Sequence, residues 1–175
     1  MFEVPKIVRT FGTVSGITEQ PTGLDLGLQN ASIKSIQSGT TNGSVTINAV
    51  DLNKAIARMR GYRGLDDYYC YLSSATQLMT VTGSARQWEV IEFDKVKSVQ
   101  RGTANASSPY SIVAVTINAI NTAKVALFYS FSHSDGTAFV ESEGKVTNST
   151  TLTFIASLST GVTGFTVFWN LVETY

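Results

Sequence analysis

The stretch of this sequence that comes nearest to a hydrolytic centre is Ser132-His133-Ser134-Asp135. A serine nucleophile needs a histidine base, and that base is held by a buried acid. The three side chains converge from separate elements, not from neighbours along one segment. With Asp135-Gly136 supplying turn chemistry, His133 reads as a solvated loop residue. It is the only histidine, and Cys70 is the only cysteine, 63 residues earlier, too few ligands for a zinc site. Asp66-Asp67 lacks the spaced acidic ladder of a calcium loop. Glu141 and Glu143 stand two apart, on one face of a strand, where paired carboxylates could cleave glycosides, but no other feature supports that chemistry. No glycine-rich phosphate loop precedes a helix. The expectation is a protein that is not an enzyme, with no catalytic, cofactor-binding or metal-ligating residues.

Binding chemistry has more to offer. Arg58-Met59-Arg60-Gly61-Tyr62-Arg63-Gly64 is the one basic cluster. Its arginines and tyrosine are the types enriched where proteins meet proteins, so Arg58, Arg60, Tyr62 and Arg63 are candidate partner contacts. The plainer alternative is a solvated loop balanced by Asp66 and Asp67. Thirteen basic and thirteen acidic residues give zero net charge, which removes the electrostatic footprint of a nucleic-acid binder. Charged residues make up only 15% of the chain against 43% hydrophobic. A surface kept soluble mainly by hydroxyls and amides is poorly protected against association, which favours a chain covered in an assembly. Cys70, within Tyr68-Tyr69-Cys70-Tyr71-Leu72, reads as a small buried hydrophobe.

The elements that must position these residues come in two copies. Ile33-Lys34-Ser35-Ile36-Gln37-Ser38-Gly39-Thr40 returns as Val96-Lys97-Ser98-Val99-Gln100-Arg101-Gly102-Thr103. Val45–Val50 returns as Val115–Ile120, and Trp88–Glu92 as Trp169–Glu173. The shifts are 63, 70 and 81 residues, so insertions fall between the matched segments. Loops tolerate added length where paired strands do not, and Ala104–Val113 and Ser130–Lys145 are expected to be enlarged loops or hairpin tips of the second copy. β-branched and aromatic residues dominate each run. Asn42-Gly43 is a hairpin signal, and Thr147-Asn148-Ser149 is turn chemistry. About five short strands per copy imply an all-β fold, with two tandem antiparallel β-sandwich or partly closed barrel modules. Trp88 and Trp169 occupy matching places in the last strand of each copy, as core or inter-lobe anchors.

The expected organisation is an N-terminal extended arm at 1–31, a first module at 32–94 and a second at 95–175. In the arm, Leu24, Leu26 and Leu28 alternate with Asp25 and Gly27, as in a half-buried strand. They are candidate contacts, either along the edge of the first module or on a neighbouring subunit. The opening residues lack the basic-then-apolar pattern of a signal peptide, and no apolar run reaches the length of a membrane span. Synthesis and folding in a bacterial cytoplasm are expected.

The phrase Val96–Thr103 resembles the opening strand of a family of small phage-encoded proteins, an apolar-Lys-Ser-Ile-Gln-Arg-Gly-Thr run. In that family a Thr/Ser-rich hairpin and a Val-x-Ile segment ending in lysine follow, matched here by Val115–Lys124. A closing Trp-containing strand is matched by Val167–Glu173 and by Trp88–Phe93. The first copy departs at Ser38. The resemblance implies a structural component of a bacteriophage virion, in a tail fibre, tail tip or baseplate, with capsid decoration as the alternative. Aromatics such as Tyr68, Tyr71 and Tyr129, stacking on sugars, would instead make a host-glycan-binding module. Partners of the structural component would be other virion proteins and further copies of itself. A trimer is favoured because it would present six similar lobes to a six-fold ring.

Overall fold

The computed structural model describes residues 31–59, 69–80, 85–108, 110–133, 139–158 and 164–175. They form an all-β protein of antiparallel strands. Its first half contains β1 (Ser32–Thr41), β2 (Ser44–Thr46), β3 (Ala55–Met59), β4 (Cys70–Ser74), β5 (Gln77–Thr80) and β6 (Arg86–Lys95). Its second half contains β7 (Ser98–Ala106), β8 (Tyr110–Thr116), β9 (Val125–His133), β10 (Phe139–Asn148), β11 (Thr151–Leu158) and β12 (Phe165–Glu173). Strand order in the first half is β1-β6-β3 and β2-β5-β4, and in the second β7-β12-β9 and β8-β11-β10. The two topologies are identical, strand for strand. None of the four sheets closes into a barrel.

Each half is a two-layer sandwich, and strand alternation decides what lies inside. On β6, Trp88 and Val90 point inward with Ala55 and Ala57 of β3, and meet Cys70, Leu72 and Leu78 from the facing sheet. On β12, Trp169 and Leu171 do the same against Leu152, Phe154 and Ala156 of β11. The opposite face of β6 is also covered. Ile91 and Phe93 join Ile56, Val96 and Val172 in a third cluster, with Ile33, Val99 and Phe128 at its margin. That cluster draws on both halves and is the hydrophobic seam between them. Ile56, Ile91 and Phe93 are fully buried there, and each such side chain contributes about 1.5–3 kcal/mol. Cover on both faces of a central strand explains the consecutive buried positions Trp88–Phe93 of β6 and Trp169–Glu173 of β12.

Several expectations change. Six strands per half lie among the described residues, not about five. The described residues of Ala104–Val113 and Ser130–Lys145 lie mostly on strands β7 to β10: β8 has seven residues where β2 has three. His133 ends β9 opposite Phe165, so its backbone is strand, not loop. Val45–Val50 does not continue as a strand past Thr46. Instead the Ile47 and Val50 N–H groups bond to the carbonyls of Thr76 and Ala75 at the β4–β5 turn, both at 2.9 Å. Their counterparts Ile117 and Ile120 bond in the same way to Thr150 and Ser149. The Asn42-Gly43 turn is present, with Gly43 at a φ of 91°, where an L side chain would be strained. No helix among the described residues is long and apolar enough to cross a membrane.

Candidate assembly surface

The recurrent residues build one hydrogen-bonded frame twice. In the first half, Glu92 receives the Lys34 ammonium at 3.0 Å, the Ser35 hydroxyl at 3.2 Å and the Asp51 N–H at 3.0 Å. In the second half, Glu173 receives Lys97 at 2.9 Å, Ser98 at 3.3 Å and the Asn121 N–H at 2.8 Å. Burial alone would raise both carboxyls, but these donors hold each below the ordinary carboxylate range. Gln37 clamps Asn48 by donating to its carbonyl and accepting from its N–H, at 2.9 and 2.7 Å. Gln100 clamps Asn118 in the same way at 3.0 and 2.8 Å. The glycine of each motif lies under an indole: a Cβ on Gly39 would stand 2.7 Å from Trp88, and one on Gly102 2.8 Å from Trp169. Lys, Ser, Gln, Gly, Trp and Glu therefore recur because each holds the same strand junction.

The one non-conservative mismatch inside the repeated octapeptide contributes to the contact between the halves. Arg101, which stands where the first half has Ser38, extends its Nη2 across the seam to the carbonyls of Leu52 and Ala55, the latter at 2.8 Å. Burial lowers the pKa of its guanidinium and Asp51 opposes that shift. On the neighbouring strand, Asn170 Nδ2 donates to the Ala57 carbonyl at 3.4 Å. Ala55 and Ala57 lie on β3, the edge strand of its sheet. Among the described residues no further strand bonds these carbonyls, and second-half side chains cap them. Beside them Phe168 stacks on Tyr69 and Tyr71, with centroids 4.5 and 5.1 Å apart and planes within 13° and 10°. The outer face of β7 and β12 thus docks on the β3–β4 edge of the first half.

The sequence-derived candidates separate. The Arg58 guanidinium forms an ion pair with Glu89 on β6, 2.6 Å from Nη2 to the carboxylate. Arg60, Tyr62 and Arg63 lie outside the described residues, as do Leu24, Leu26, Leu28, Asp66 and Asp67. Trp88 and Trp169 are core anchors of their own halves and not of the seam. Cys70 is buried, with its thiol pushed up to about 12 by desolvation. Of the tyrosines considered for glycan stacking, Tyr68 lies outside the described residues, Tyr71 stacks on Phe168, and Tyr129 packs edge-on against Phe131 and Phe154. No group of three or more metal-ligating side chains occurs among the described residues.

Residues that reasoning from sequence did not select are more exposed. Tyr110 and Ile112 on β8 are 61% and 62% accessible. The strand is at the edge of its sheet, with Ile155 of β11 opposite Ile112. An open edge bearing large apolar side chains is a surface on which another chain can pair. Arg101 had a signal in the sequence, as the odd residue in a repeated phrase. Phe168, Asn170 and Tyr69 had none, because their partners come from the other half. No family model, curated protein or solved structure matches this chain.

Proposed function

We propose that the chain is a non-enzymatic structural protein of a bacteriophage particle, acting by subunit assembly in a tail fibre, tail tip or baseplate. The observation that carries the assembly reading is the β8 edge, where Tyr110 and Ile112 lie side by side on one exposed strand. The motif resemblance of Val96–Thr103 supports the particle, and the sparse charge of the chain supports a covered surface. Capsid decoration is the alternative location. Immunogold labelling of intact particles tests the reading directly. Label confined to one structural location is expected, and particles free of a protein abundant in the same lysate would overturn it. Native mass spectrometry tests assembly. A trimer is expected, with Tyr110→Ser/Ile112→Ser shifting the chain to monomer. A wild-type monomer at high concentration and inside the particle would refute it.

A further inference from the structure

We infer that the outer face of the β8–β11–β10 sheet is self-complementary, and that its partner is the same face of a second copy, related by a two-fold axis lying across the strands. The inference rests on the assembly reading of β8 and gives that surface its partner and symmetry. Strand alternation builds the face. Val113, Leu152 and Val146 turn into the core of the second half, so their neighbours along each strand turn outward. The registers set these neighbours in rows, with Glu143, Ile155 and Ile112 in one and Lys145, Thr153 and Ala114 in the next. Glu143, Lys145, Ile112 and Ala114 are exposed. Neither Glu143 nor Lys145 takes part in an ion pair among the described residues.

Sheets stacked face to face keep their strands within about 30° and lie about 10 Å apart, a gap that Glu and Lys side chains span from opposite sides. A two-fold axis in such a face runs along the strands or across them. Along the strands, it sets β10 over β8, with Glu143 on Ile112 and Lys145 on Ala114, and buries charge against apolar surface. Across the strands, it sets β10 over β10 and β8 over β8. An axis through a row then puts Glu143 on Glu143 or Lys145 on Lys145. An axis midway between the rows puts Glu143 of each copy on Lys145 of the other. The same placement sets Ile112 on Ala114, and Tyr110 on Thr116 one row further out, so a large side chain meets a smaller one each time. One arrangement therefore satisfies charge and volume together, as a surface that pairs with itself requires.

The first half lacks the equivalent face. Leu72 opposite Leu78 and Val146 opposite Leu152 match Tyr71 to Lys145 and Tyr69 to Glu143, and Phe168 already stacks on both tyrosines. Three strands about 4.8 Å apart and about 20 Å long make a face well below the ~800 Å² per partner of a stable dimer. The pairing is therefore weak and reversible, and it doubles the mass of whatever species the chain already forms.

Light scattering over a concentration series of the full-length chain tests it. The wild-type mass should double as concentration rises and fall back in high salt. Glu143→Lys and Lys145→Glu each turn two attractions into two repulsions and should weaken the doubling about tenfold or more. Mixed in equal amounts, the two variants should restore it, as should E143K/K145E in one chain, because opposite charges again face each other. Both positions are exposed, and strand circular dichroism should match wild type throughout. Single reversals that double as well as wild type, or a mixture that stays undoubled, would overturn the inference. A wild-type oligomer that Tyr110→Ser/Ile112→Ser breaks but that never doubles would also overturn it, and would leave the assembly reading standing. Doubling by a chain absent from particles would do the converse.

Discussion

Replacing Glu92 or Glu173 with glutamine removes a charge from one half while leaving its partner site as an internal control. Each carboxylate accepts a backbone N–H, a serine hydroxyl and a lysine ammonium. Hydrogen bonds to a charged group are worth about 1.5–3 kcal/mol. The lysine share is small because the Lys34 and Lys97 side chains are 59% and 52% exposed, and solvent reduces such pairs to about 0–1 kcal/mol. Glutamine retains one carbonyl oxygen for the backbone N–H. The expected loss is therefore roughly 1.5–2.5 kcal/mol per site at neutral pH. The two sites lie in different sandwiches, so the double variant should show the sum to within about 0.5 kcal/mol.

Acid supplies the second arm of the test. Both carboxyls titrate below their ordinary value in the folded protein. Their stabilisation is therefore complete above the unfolded-state pKa of about 4.3 and is lost as pH falls through the folded-state values. Urea denaturation at pH 7 and at successively lower pH should show the wild type losing stability faster than Glu92→Gln/Glu173→Gln, with the gap narrowing into acid. Equal stabilities at pH 7, or a gap that persists undiminished in acid, would refute the account of the paired glutamates.

Two other expectations come from the same frame. Gly39→Ala and Gly102→Ala each drive a methyl group to within 3 Å of a buried indole, an overpacking cost of about 1–3 kcal/mol; thermal melts should show similar losses for both, and a neutral substitution at either would show that the tryptophan can move aside. Cys70, with its thiol pushed up to about 12, should resist maleimide at pH 8 in the native chain and label once in denaturant, as counted by intact mass; rapid native labelling would contradict its burial.

The all-β class, the doubled plan and the anchoring tryptophans were legible because they rest on period-two alternation and on residues repeated in order. The reach of the strands was not. Polar residues such as Asn105 and Ser111 look like loop, yet they lie on β7 and β8 with neighbouring strands to bond them. The seam was hidden for a different reason. Ile56, Ile91 and Phe93 read as core for one sandwich, and nothing local shows that their outward phase is buried by Val172 and Val99 from a strand further along the chain.

The repeat and the function belong to different sets of residues. Lys34, Ser35, Gln37, Gly39, Trp88 and Glu92, with their second-half equivalents, all close strand junctions inside one sandwich. A phrase conserved for that reason marks a fold, and it would be the same whatever the surface did. Positions that break the repeat are free of that constraint, and the structure places them at surfaces and seams: Arg101 against Ser38, Phe168 against Gln87, and β8 against the short β2. Tyr110 and Ile112 fall in the inserted part of that longer strand, away from the duplicated hydrogen bonds. Substituting them should therefore change what the chain assembles with while leaving the urea midpoint of the monomer near wild type. Substituting the repeated residues should do the reverse. A Tyr110→Ser/Ile112→Ser chain that lost stability as heavily as Glu173→Gln would show that the exposed edge belongs to the fold, and the assembly reading would lose its surface.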